Sequence, residues 1–232
     1  MTLVDTLAPG GAAEDHGYRP APPGLRANMI FSADGAAGFA GRAGPLSCPT
    51  DYQLLLALRA YADVVLVGAG TARAEDYGPV RLRADHAAQR KQLGLSADPP
   101  PIAVVSASGR LPEKLLTARP ILVTCARGAR DARRDLDVIV SGDETVDISH
   151  AVGQLRDRGM HRILCEGGPT LLDELVVADL VDELCVTLAP RLAGHQQIGR
   201  GAPAGLPAPR GLRLGHLLVG ADDYLYLRYQ RQ

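Results

Sequence analysis

Short, unbroken apolar runs recur along the chain from residue 25 onward, separated by polar segments that carry glycine and proline. Val64-Val-Leu-Val, Ile102-Ala-Val-Val, Ile121-Leu-Val-Thr-Cys, Val138-Ile-Val and Ile163-Leu-Cys show no polar alternation. Runs of that kind suit strands buried on both faces, as in a parallel sheet. Leu25–Phe31 and Glu183–Leu188 add two further strands. Between them the apolar period lengthens to that of a helix. Leu54, Leu55, Leu58 and Tyr61 form one stripe, with Ser47 or Thr50 as its cap and Thr50 and Gln53 as a capping box. Ile148–Arg158 forms a second helix, closed by Gly159 as a left-handed cap, and Leu171–Val177 a third. A short helix is expected near Ala84–Leu93. The tail, Leu212–Val219 and Tyr224–Tyr229 around Gly220-Ala-Asp-Asp, reads as a β-hairpin. In it Leu225 and Leu227 alternate with Tyr224, Tyr226 and Arg228, so one face is expected buried and the other half-exposed. Strands alternating with helices predict an α/β fold: a mainly parallel central sheet flanked by helices, with an antiparallel C-terminal hairpin at its edge. Residues 1–24, rich in Gly, Ala and Pro, are expected to be a flexible arm, and 25–232 a single domain. The Pro/Gly-rich stretch 190–211 is long for a compact connection and suggests a lid or an interface.

Composition narrows the function. The 232 residues are 46% hydrophobic and carry a net charge of −1, which gives no electrostatic case for nucleic acid or an anionic membrane. No apolar run approaches a bilayer span. The first residues are acidic and proline-bearing rather than basic-then-apolar, so a cytoplasmic location is expected. Cys48, Cys125, Cys165 and Cys185 are widely spaced and form no C-x-x-C pair, as buried free thiols do. The six histidines show no ligand spacing either, so no metal site is expected.

Two strand-to-glycine turns carry the candidate chemistry. In Arg162-Ile-Leu-Cys-Glu-Gly-Gly-Pro-Thr-Leu-Leu, Gly167 and Gly168 allow a tight turn, and Pro169 suits a first helical position. The helix beginning there offers unpaired N–H groups and a positive dipole end, a seat for phosphate. Glu166 stands at the carboxyl end of its strand, where open α/β sheets bind ligands. In Val64-Val-Leu-Val-Gly-Ala-Gly-Thr, Gly68 and Gly70 permit close backbone approach, and Thr71 offers a hydroxyl and a possible helix cap. Glu75 and Asp76 follow one helical turn on. This is neither the dinucleotide fingerprint nor a Walker loop: Ala74 stands near the third glycine position, and no Lys-Ser/Thr pair follows.

Ser32-Ala-Asp-Gly, Leu58-Arg-Ala, Val67-Gly-Ala-Gly-Thr, Glu166-Gly-Gly-Pro-Thr, Leu180-Val-Asp-Glu-Leu and Ala189-Pro follow one another in an order that resembles a known family. It is the reductase domain of riboflavin biosynthesis, a pyrimidine reductase family with a dihydrofolate-reductase-like fold. The resemblance implies a stand-alone reductase, because the His-x-Glu and Pro-Cys-x-x-Cys zinc ligands of the deaminase often fused to it are missing. It implies NADPH as hydride donor, a small heterocyclic substrate and a homodimer. Thr71, Glu75 and Ser108 fall where the family holds its cofactor, and the stretch from Gly168 through Pro169, Thr170 and Leu171 to Glu174, beside Gly167, falls where it cradles the phosphates. Arg59, Glu166 and Arg81 fall at substrate positions. Hydride transfer needs donor and acceptor held close, water excluded and charge managed nearby. Glu166 is the leading candidate for fixing the heterocycle, with Asp34 or Glu75 in the same cleft and Arg59 on an anionic group. Two departures stand out. Glu75-Asp76 followed by Tyr77-Gly-Pro replaces two aspartates and a proline, and Ala43-Gly44-Pro45 replaces a Ser-x-Trp. A pterin or another pyrimidine therefore stays open as substrate, as does a protein that binds NADPH as a sensor without catalysis.

Overall fold

The computed structural model describes residues 4–7, 22–194 and 205–232. Each unbroken apolar run forms a strand: β2 (Gly24–Ser32), β3 (Val64–Gly68), β4 (Ile102–Val105), β5 (Ile121–Thr124), β6 (Asp137–Val140), β7 (Arg162–Cys165) and β8 (Glu183–Ala189). The hairpin supplies β9 (Leu212–Gly220) and β10 (Leu225–Arg231), and Val4–Leu7 supplies β1. The ten strands lie in the order β1-β9-β10-β8-β2-β7-β3-β4-β5-β6. From β8 to β6 every pairing is parallel, and β10 runs antiparallel to both β8 and β9.

The hairpin is not the edge of the sheet. β1 pairs with β9 in parallel, Val4 opposite Leu217 through Leu7 opposite Gly220, so part of the expected arm is a strand. The unpaired backbone of β9 is the physical reason, since a sheet edge is a template for any extended segment within reach. The remaining arm positions before residue 22, and positions 195–204 of the long loop, lie outside the described residues.

Helices cover both faces. On one lie α1 (Pro49–Ala60), α2 (Ala69–Ala74) and α3 (Ala84–Gln92), with Leu54, Leu58 and Ala72 packed on Val65, Val67, Ile102 and Val104. On the other lie α6 (Ile148–Asp157) and α7 (Pro169–Val177), whose Val152, Leu155, Leu171 and Leu175 pack on Leu66, Ala103 and Ile163. Two single helical turns, α4 (Glu113–Leu116) and α5 (Ala126–Ala129), and a 3-10 turn over Gly44–Leu46 are also present. Gly159 adopts φ +83° after α6, as expected of a left-handed cap. No described helix is long and apolar enough to cross a membrane.

The cap of α1 differs from expectation. Cys48, not Ser47 or Thr50, accepts the Asp51 amide on its sulfur, because Pro49 fits the first helical position and places Thr50 inside the turn. In the hairpin, Tyr224 and Tyr226 are the buried face, stacked 6.2 Å apart, and Leu225 and Leu227 are the half-exposed one. The tyrosine hydroxyls find partners inside, Tyr224 on the Leu46 carbonyl and Tyr226 on the Cys48 sulfur.

Candidate active site

The two glycine turns meet. β7 returns from the far side of the sheet to lie between β2 and β3, so the chain leaves β3 toward one face and β7 toward the other. That divergence opens a crevice beyond the carboxyl ends of the two strands, the usual ligand site of such sheets. Two backbone bonds clamp it: Glu166 N–H to the Leu66 carbonyl at 2.9 Å and Gly68 N–H to the Gly167 carbonyl at 2.8 Å. Gly167 has φ +81°, a conformation that favours glycine, and the Gly167–Gly168 peptide is cis. A Cβ on Gly168 would lie 2.3 Å from the Thr71 hydroxyl, so only glycine fits against that side chain.

The crevice is a cleft of about 1350 Å³, room for a dinucleotide and a second small molecule. Gly168, Pro169, Thr170 and Leu171 line it at the start of α7, and no side chain caps that helix. Its first-turn N–H groups are left for a ligand, and the helix dipole favours an anion there. Gly70 and Thr71 line the opposite wall. A Cβ at Gly70 would meet nothing in the protein, so the open space there belongs to the cleft. Gly68 caps α2 in place of the hydroxyl of Thr71, which lies inside the helix and faces Gly168 instead. Ser108, exposed after β4, and Arg81, exposed beyond α2, also line the cleft.

Arg59 and Glu166, 107 residues apart in sequence, are partners. The Arg59 Nε and Nη2 groups donate to Glu166 Oε1 and Oε2, both at 2.7 Å, and the Tyr77 hydroxyl donates to Oε2 at 2.6 Å. The Arg59 guanidinium carbon sits 5.5 Å from the Tyr77 ring centroid, a cation–π contact. Only 2% of the Glu166 side chain and 14% of that of Arg59 are exposed. Burial alone would lower the Arg59 pKa, but the adjoining Glu166 charge outweighs it and raises it. Burial and the same carboxylate push the Tyr77 phenol well above its ordinary range, so it remains a hydroxyl donor. Cys165, buried one residue earlier, is pushed up to about 12 by loss of solvation, which keeps it a thiol.

Glu75 lies in the cleft wall, its carboxylate accepting the Ala43 N–H and drawing the Gly38–Gly44 loop over the site. Asp34 does not join it. It stands outside the cleft lining, accepting the Ser32 hydroxyl and the Ala193 and Gly194 amides. Those bonds, led by Ser32, hold its pKa at about 2. It ties the turn after β2 to the segment after β8, a role its Asp-Gly setting suits better than chemistry. Two cleft residues carried no recognised role in the sequence. Tyr77 stood out only as a departure at a proline position, and Asp51 did not stand out at all. Asp51 accepts Ser47 and Thr187 hydroxyls at the rim, and burial raises its pKa.

Residues 23–225 match the RibD C-terminal domain family. A 2,5-diamino-6-ribosylamino-4(3H)-pyrimidinone 5′-phosphate reductase of Archaeoglobus fulgidus is 31% identical over 78% of this chain and 84% of its own. The protein of the same name from Methanothermobacter thermautotrophicus is 27% identical over 72% and 77%. A pyrimidine reductase-like protein of Corynebacterium diphtheriae superposes with a TM-score of 0.78 at 28% identity, covering 90% of this chain and 91% of that one. The deaminase/reductase of Thermotoga maritima shares the fold, with a TM-score of 0.67 at 16% identity over 90% of this chain and 57% of its own.

Proposed function

Because the chain belongs to the RibD C-terminal domain family, we propose that it reduces a ribosylaminopyrimidine 5′-phosphate with NADPH as hydride donor. The observation that carries this reading is the meeting of an uncapped helix start with a buried, oriented guanidinium in one cleft. NADPH, when bound, supplies the hydride; the protein supplies position and electrostatics. The first-turn amides of α7 would hold the diphosphate, with Gly68, Gly70 and Thr71 closing on it from α2. Ser108 lies farther along the same cleft, on the side of β4, and would meet the adenosine end. Arg59, kept charged by Glu166, would bind an oxygen of the pyrimidine substrate, and exposed Arg81 its phosphate. Glu75 would keep the Gly38–Gly44 loop over the reacting groups and limit water entry.

Purified protein mixed with NADPH and the diaminopyrimidinone phosphate should oxidise the cofactor, followed by its loss of absorbance, and do so faster than with NADH. A panel of dihydropterins in place of the pyrimidine should remain unreduced. Reduction of pterins alone would replace the substrate assignment with a dihydrofolate-type one. Tight NADPH binding without oxidation of any member would leave a sensor.

The assembly belongs to the same proposal: the protein acts as a homodimer. Val186, Leu188, Leu217, Val219, Leu225 and Leu227 are half-buried on one face of the β8-β10-β9 ladder. They stand opposite one another in register, and an apolar patch of that extent on a monomer favours association. Sedimentation at micromolar concentration should give twice the chain mass; a monomer would refute the dimer.

A further inference from the structure

The hydroxyl of Tyr77 has no part in the roles assigned above, yet it makes the shortest of the three bonds on Glu166. Asp76, at φ +50°, turns the chain after α2, and the Tyr77 amide bonds the Ala72 carbonyl at 2.9 Å. The side chain is thereby set against Arg59 and Glu166. Glu166 accepts Nε–H on one oxygen and Nη2–H together with the Tyr77 O–H on the other. The two carboxylate oxygens of Glu166 thus accept three donors at once. The carboxylate is well suited to hold a guanidinium in one orientation, because the paired fork leaves little freedom to rotate. The Arg59 Nη1 group is not among the donors to Glu166, and Arg59 lines the cleft.

We propose that Tyr77 is a positioning residue for substrate capture, locking Glu166 so that Arg59 presents the Nη1 edge of its guanidinium to an anionic or carbonyl oxygen of the substrate. The proposal rests on the reductase reading for its substrate, but not for the lock itself. A Tyr77 that merely filled space would be replaced by phenylalanine without consequence, since the ring and its cation–π contact would remain.

Tyr77→Phe separates the two. In the ligand-free protein the Arg59 Nε proton, observed by NMR, should exchange slowly, and in Tyr77→Phe about tenfold faster. In steady state the variant should raise KM for the diaminopyrimidinone phosphate about tenfold. Its KM for NADPH should hold, and kcat should fall by less than about threefold, the split expected when ground-state and transition-state binding weaken together. Added to Arg59→Lys, Tyr77→Phe should cost nothing more, because both act on one contact. Unchanged Arg59 exchange in the variant, an unchanged pyrimidine KM, or fully additive losses would each overturn the proposal. If the unmodified enzyme reduces no pyrimidine, the reductase reading falls, and the exchange measurement still decides whether Tyr77 holds Arg59.

Discussion

Glu166 and Arg59 show how burial changes what a charge is worth. Removing one member of a buried pair strands the other without solvent, at a cost of about 3–5 kcal/mol. Glu166→Ala should therefore lower stability by about that much in urea unfolding. It should also cut turnover while leaving NADPH binding near normal, which fluorescence titration can read. Gly168 makes a second residue-scale case. The methyl of Gly168→Ala would collide with the Thr71 hydroxyl. Loss of NADPH affinity by about tenfold or more is expected, with partial recovery in Gly168→Ala/Thr71→Ala, since crowding of this kind is relieved by trimming the neighbour. Equal affinities in the single and double variants would show that the collision is not the cause. These sites were unequally legible in the sequence. Gly167-Gly168-Pro169 announces a turn and a helix start through local backbone chemistry, so it could be read directly. The Tyr77–Glu166 bond spans 89 residues, and no local pattern encodes it.

Among elements, the strands and long helices followed from apolar periodicity, because burial on one or both faces leaves a mark on every residue of the run. Caps and turns followed less well. Pro49 moved the start of α1 to Cys48, and the hairpin buries its tyrosines because their hydroxyls reach Leu46 and Cys48, partners invisible in the tail itself. Asp34 belongs to this scale, as a tie between two connections. Its folded pKa of about 2 lies below the ordinary value of 3.8. Its contribution is thus complete above about pH 4 and disappears as pH falls toward 2. Melting curves of Asp34→Asn should lose less between those pH values than the unmodified protein does. An identical acid profile would mean that the tie is not sensed by the fold.

For the whole molecule, the α/β class and the parallel sheet were legible, but the sheet's outer boundary was not. β1 is placed by the free edge of β9 rather than by its own pattern. The half-buried leucines and valines of β8, β9 and β10 are the complementary case, a face whose composition asks for a partner. Leu227→Arg would set a charge at its centre, next to Leu217 and Val186. If the proposed dimer forms through this face, sedimentation of that variant should show single chains at concentrations where the unmodified protein sediments as a pair, with a melting temperature lowered by loss of mass-action stabilisation. Persistence of the pair would move the contact elsewhere on the surface.

β2 is made before both of its sheet neighbours, β7 and β8, with Gly24 opposite Arg162 and Arg26 opposite Glu183. During synthesis β3 to β6 can associate among themselves, while that strand waits with both rims bare until β7 and β8 have been made. Long-range pairing of this sort is slow, and naked strand rims are sticky. A nascent chain stalled before residue 162 would thus be expected to recruit holdase chaperones, and one released beyond residue 189 to shed them.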